Sequence, residues 1–123
     1  MGFEALSRGS RKVTFIEKNK NAMGILKKNA EQLKVNNFVH FINMDVKNLS
    51  ESNIKYEIAF LDPPYFSEFP EVTINILSEK GWLQKKSIVI IETNKIYNLN
   101  IPKFFEKFKK KIFGNTKITF LEY

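Results

Sequence analysis

Tyr56-Glu57-Ile58-Ala59-Phe60-Leu61-Asp62-Pro63-Pro64-Tyr65 is the stretch on which the reading of this chain turns. Its first six residues form a nearly continuous apolar run, short enough for a buried strand. Its last four stop that run abruptly. Asp62 and Pro63 each precede a proline and are pushed toward extended conformations, while each proline holds its own φ. The turn is therefore stiff, and its carbonyls point in fixed directions. A buried strand ending in a rigid turn predicts a sheet whose carboxyl ends carry a ligand site, provided helices and strands alternate around it.

They do alternate. Lys12–Ile16 reads as a strand through Val13, Phe15 and Ile16. From Asn19 to about Val35, Ala22, Leu26, Ala30 and Leu33 recur at helical steps, and Asn36-Asn37 supply a stop that tolerates a left-handed backbone. Phe38–Ile42 is a second strand. After the turn, Phe69 to Lys80 reads as a helix with Phe69, Val72, Ile76 and Leu77 on its apolar face, Pro70 in its first turn and Gly81 closing it. Ser87–Ile91 is the most strand-like segment, and its β-branched residues suggest burial on both faces. Beyond it the pattern leaves two readings open. Ile101, Phe104, Phe105, Phe108 and Ile112 fit helical spacing, whereas Gly114-Asn115 followed by alternating Ile118 and Phe120 fits a hairpin. Repeats, low-complexity linkers and a domain boundary are not evident, so the 123 residues read as one domain.

Composition narrows the chemistry. The absence of cysteine excludes disulfides, thiolate metal sites and a cysteine nucleophile, and the lone His40 argues against His-rich zinc sites and a Ser–His–Asp triad. No apolar run approaches the roughly 18 residues of a spanning helix, and the first residues lack the apolar core of a signal peptide. The expectation is a cytoplasmic α/β protein that uses neither metal nor membrane. The net charge is +7, and eighteen of the twenty basic residues are Lys, a bias that coding composition explains as readily as a nucleic-acid partner. Its distribution says more. Residues 8–34 carry eight basic and two acidic side chains, residues 103–123 six and two, and residues 40–80 three and seven. Basic ends around an acidic middle suit either solvated Lys faces or a phosphate-contacting surface.

The turn supplies the candidate chemistry. At Asp62-Pro63-Pro64-Tyr65, an acceptor side chain, rigid backbone carbonyls and an aromatic face converge, which suits a planar heterocycle bearing an amino group. Such an amine is a poor nucleophile because its lone pair is delocalised into the ring. Two acceptors holding its hydrogens favour a pyramidal nitrogen that can attack a methyl group, and they stabilise the positive charge developing there. Glu17 and Asp45 end the two earlier strands. Taken singly, each fits a helix cap or a solvated loop acid. Together with Asp62 they put three acids at successive strand ends, where an acid commonly binds ribose hydroxyls. Asp45 could accept an adenine amino group, with the Val46 N–H donating to the ring.

MGFEALSRGS, VTFIEKN, MDV, FLDPPY, IVIIET and FGNTKITFLEY, in this order, resemble the bacterial 16S ribosomal RNA guanine-N2 methyltransferase family (RsmD-like). This is a Rossmann-like, S-adenosylmethionine-dependent class. The resemblance runs the length of the chain, with EALSRGS and DPPY its most specific pieces. It implies that Glu17 holds the cofactor ribose, that Asp45 with Val46 holds its adenine, and that Asp62, Pro63, Pro64 and Tyr65 hold the target guanine amine, Asp62 also lying against the cofactor. It further implies a C-terminal β-hairpin, roughly Phe105–Phe113 with Thr116–Leu121, and gives Glu92 a structural rather than catalytic place. The implied partner is ribosomal RNA or the small ribosomal subunit, and the implied state is a monomer unless open sheet edges associate. DPPY alone would also fit amino-methyltransferases acting on DNA adenine or protein glutamine. In the family, a strand and a Gly-rich loop of the form F-A-G-S-G precede EALSRG. Neither is found in this sequence, so the resemblance implies an N-terminally incomplete domain, and its alternative is an inactive remnant with residual RNA binding.

Overall fold

A computed structural model describes residues 2–62 and 69–123, with only the backbone of Phe69 included. They form two compact units, one ending at Leu49 and the other beginning at Ser50.

The first unit opens with a short helix, α1 (Gly2–Ser7), followed by β1 (Val13–Ile16), α2 (Lys20–Leu33) and β2 (Val39–Ile42). The strands β1 and β2 pair in parallel, with Val13 opposite Val39 and Ile16 opposite Ile42. With α2 as the crossover, this is a βαβ unit. α1 lies against β1 closely enough that a Cβ on Gly2 would come 2.4 Å from the Phe15 ring. Phe3 completes that contact, its ring 4.9 Å from Phe15. Only glycine permits this approach.

In α2, the Asn19 side chain caps the helix by accepting from the Ala22 N–H at 2.9 Å. The face it buries is centred on Met23 and Ala30, whereas Leu33, expected on it, is exposed. The stop also differs from expectation. Lys34, at φ 59°, takes the left-handed position, its N–H bonding back to the Ala30 and Glu31 carbonyls, while Asn36–Phe38 continue as a 3-10 turn. Left-handed geometry is required where the last turn closes its carbonyls, and that place is set by where helical packing ends, not by which nearby residue tolerates it best.

The second unit contains β3 (Tyr56–Leu61), α3 (Phe69–Glu79), β4 (Leu83–Asn94) and the hairpin strands β5 (Glu106–Phe113) and β6 (Thr116–Glu122), in the sheet order β3-β4-β6-β5. β3 and β4 are parallel, with Leu61 opposite Ile91; β4–β6 and β6–β5 are antiparallel. The expected C-terminal hairpin is therefore present, with Gly114 at φ +57° in its turn. Helical spacing among the Phe residues does not prevail because the segment pairs with β6, and tertiary pairing outweighs local pattern.

β4 runs well beyond SIVII at both ends. From Ser87 onward it alternates, with Ser87, Val89, Ile91 and Thr93 buried and Ile88, Ile90, Glu92 and Asn94 partly exposed. Burial on both faces does not materialise in this sheet. Leu61, Val89, Ile91 and Leu121 line the buried face, and α3 packs on β4. The buried face of α3 is Pro70, Thr73, Ile74 and Leu77, so Ile74, outside the expected apolar face, belongs at its centre. Gly81, at φ +76°, closes the helix as expected. Trp82 then anchors the junction, its indole N–H donating to the Ser50 carbonyl at 2.9 Å and its ring stacking at 5.9 Å on Tyr56.

Candidate active site

The acids expected at strand ends are at strand ends. Glu17 follows β1, and its N–H donates to the Ile42 carbonyl at 3.0 Å, extending the parallel ladder by one rung. Asn43 ties the same corner, its amide donating to the Glu17 carbonyl at 2.8 Å and the Lys18 carbonyl at 3.2 Å. Asp45 follows β2 and caps the 3-10 turn Val46–Asn48, one carboxylate oxygen accepting from the Lys47 N–H at 3.0 Å. The cap role weighed for Asp45 is thus real, and it engages one of two oxygens. Val46 is buried and opens this turn, so its N–H is one that a short helix leaves without an internal acceptor. Among the described residues the structure records no partner for the second Asp45 oxygen or for the Val46 N–H, an acceptor and a donor of the kind the adenine of S-adenosylmethionine would take.

In the second unit, Asp62 lies one residue past β3. β3 and β4 pair in register up to Leu61 and Ile91, and Asp62 and Glu92 are the next residue on each strand's path. The two carboxyl groups meet, and the hydrogen bond to Asp62 holds the Glu92 pKa above the ordinary carboxylate value, with partial burial and the charge of Asp62 adding in the same direction. Glu92, expected to have a structural place, interacts with Asp62. The signal was available in the sequence, since YEIAFLD and SIVIIE both end apolar runs in an acid, but only the register makes those ends neighbours. Pro63, Pro64 and Tyr65 lie outside the described residues.

Comparison with known proteins bears directly on this arrangement. A family described as Conserved hypothetical protein 95 matches residues 1–122. Ribosomal RNA small subunit methyltransferase D of Haemophilus influenzae is 33% identical over 118 residues, covering 93% of this chain and 61% of that protein. The protein of the same name from Buchnera aphidicola is 36% identical over 114 residues, covering 91% and 59%. The chain belongs to the RsmD family. It spans about three-fifths of the length of these curated relatives.

The RsmD assignment carries the fold with it. The crystal structure of a proposed methylase from Haemophilus influenzae superimposes with a TM-score of 0.88 at 33% identity, covering 98% of this chain and 78% of that one. The N-terminal domain of human METTL16, solved in complex with SAH, shares the fold at a TM-score of 0.72 and 15% identity, covering 98% and 55%. The architecture is α/β with a mixed sheet, the Rossmann-like methyltransferase fold.

Proposed function

We propose that the protein transfers a methyl group from S-adenosylmethionine to the exocyclic N2 amine of a guanine in small-subunit ribosomal RNA. The observation that carries this reading is Asp62 at the carboxyl end of β3, heading a DPPY turn in a chain of the RsmD family. The relatives named above as methyltransferases of that RNA support the substrate class.

The cofactor supplies an electrophilic methyl group. Glu17 accepts from its ribose hydroxyls, and the free oxygen of Asp45 and the N–H of Val46 recognise its adenine. Asp62 and the carbonyls of Pro63 and Pro64 hold the hydrogens of the guanine amine while Tyr65 stacks on the base. The new nitrogen–carbon bond would form as the methyl–sulfur bond breaks to leave a neutral thioether. Asp62 stabilises the charge that develops on nitrogen until its extra proton passes to solvent, and fixed acceptors do so without reorganising. Holding the amine in line with the methyl group supplies much of the remaining acceleration.

The test is transfer of tritium from labelled S-adenosylmethionine to small-subunit RNA, with DNA and a release factor as competing acceptors. Incorporation confined to the RNA is the expected result. Label in either competitor alone would reassign the enzyme, and calorimetry showing no cofactor binding at millimolar concentration would remove the reading for this chain.

A further inference from the structure

On the opposite side of β4 from β3, the hairpin carries a cluster of cations that the proposed chemistry does not use. Lys110 pairs with Thr119 across β5 and β6, Lys107 with Leu121, and Lys117 with Ile112. Directly opposed residues of an antiparallel pair share a face, so these side chains stand on the face where Thr119 and Leu121 are buried. There they line a cavity of about 130 Å³ whose remaining wall is the loop Asn98–Ile101.

That wall is tethered rather than loose. Glu71 on α3 accepts from the Tyr97 hydroxyl at 2.9 and 2.7 Å and from the Asn100 N–H at 3.1 Å. The Lys117 ammonium in turn donates to the Tyr97 carbonyl. Glu71 is the acid that approaches the loop, and its oxygens are already taken. Among the described residues, none of the three lysines lies within ion-pair distance of a carboxylate. Burial, then the charges of Lys110 and Lys107, push the Lys117 pKa down. Three cations gathered around one pocket define a place where an anion relieves the repulsion.

We propose that Lys107, Lys110 and Lys117, with Thr119 and Asn98, form a phosphate site that takes a backbone phosphodiester of the RNA substrate. The proposal rests on the RNA reading above. It makes the hairpin a positioning surface, contributing affinity and orientation without reading sequence. The opposite face of β5 provides an internal comparison. Lys109 stands over the Phe120 ring at 5.7 Å, and Lys111 is paired with Ile118, so neither belongs to the pocket.

The experiment compares Lys107→Gln/Lys110→Gln with Lys109→Gln/Lys111→Gln, two double variants of equal charge loss on opposite faces of one exposed strand. Near-ultraviolet circular dichroism checks that both are folded. Binding of a short labelled RNA stem–loop is followed by anisotropy over a series of KCl concentrations. The pocket pair is expected to lose about tenfold in affinity and to flatten the salt slope by about two, roughly one per phosphate-contacting lysine. The outer pair is expected to stay near wild type. Equal losses in both variants, or none in the pocket pair, overturn the site, as does a wild-type protein that binds inorganic phosphate but no RNA. A methyl-transfer assay separates this from the reading it rests on. RNA that is methylated while the two variants bind alike removes the site alone. RNA that is bound through the pocket but never methylated removes the enzyme reading alone.

Discussion

Asp62, one residue past β3, and Glu92, near the end of β4, approach closely enough that Asp62 raises the Glu92 pKa, through hydrogen bonding first and its charge as well. Two acids at this distance resist simultaneous ionisation, so the proton they share resides on Glu92 over a wider pH range than an isolated glutamate would allow. A protonated Glu92 is a donor for Asp62, which keeps acceptor capacity for other donors. The pairing links a catalytic proposal to a measurable pH dependence.

Glu92→Gln tests that linkage. A raised carboxyl pKa contributes stability that is complete below the ordinary glutamate value and is lost as pH rises through the raised one. Glutamine stays neutral and keeps an N–H for Asp62 at every pH. Urea midpoints of variant and wild type are expected to coincide in acid and to separate in favour of the variant as pH rises toward neutrality. A variant less stable than wild type at neutral pH would rule out the shared proton.

Asp62→Ala is expected to reduce methyl transfer by about 10²–10³-fold, the cost of deleting one fixed acceptor aimed at developing charge. Tyr65→Ala should lose less, because stacking positions the base without bearing the charge. Single-turnover tritium transfer gives both values. Retained activity in the Asp62 variant would exclude the amine-holding role.

At Asp45, two functions can be separated by one atom. Asp45→Asn retains an oxygen for the Lys47 N–H but replaces the second acceptor with an NH₂ group. The turn should persist, while affinity for S-adenosylmethionine falls about tenfold, since a donor left facing a donor costs about 1–3 kcal/mol. Calorimetric titration reports affinity and circular dichroism reports the turn. Unchanged affinity would move the adenine site elsewhere.

Ile74 is fully buried at the centre of the α3 face. Ile74→Ala is expected to destabilise the second unit by about 2–5 kcal/mol, transfer and cavity contributions combined. Asn19→Ala, which removes an exposed helix cap, should cost about 1 kcal/mol. Denaturant unfolding followed by Trp82 fluorescence, which reports from the second unit, measures the first; far-ultraviolet circular dichroism measures the second.

Local chemistry made much of this protein legible from its residues. Apolar runs and their breakers located β1, β2, β3 and α3 to within a few positions, because strand burial and proline or glycine geometry act over short stretches. The same reasoning located the strand-end acids, since Glu17 and Asp62 follow apolar runs directly and Asp45 comes three residues after the end of β2. Where it failed, a longer range decided. The left-handed stop at Lys34, the exposure of Leu33 and the burial of Ile74 depend on which surface each helix meets. Periodicity identifies a face only to within a residue or two.

Sequence alone therefore determined the α/β class, the family likeness and the apolar run that ends at Asp62, all properties carried by consecutive residues. Tertiary structure alone decided the register in which β5 meets β6, that Glu92 meets Asp62, and that Lys107, Lys110 and Lys117 converge on one pocket. The physical reason is common to all three. Strand register brings together residues far apart in the chain, and a shift of one position would turn each of those side chains to the other face of the sheet.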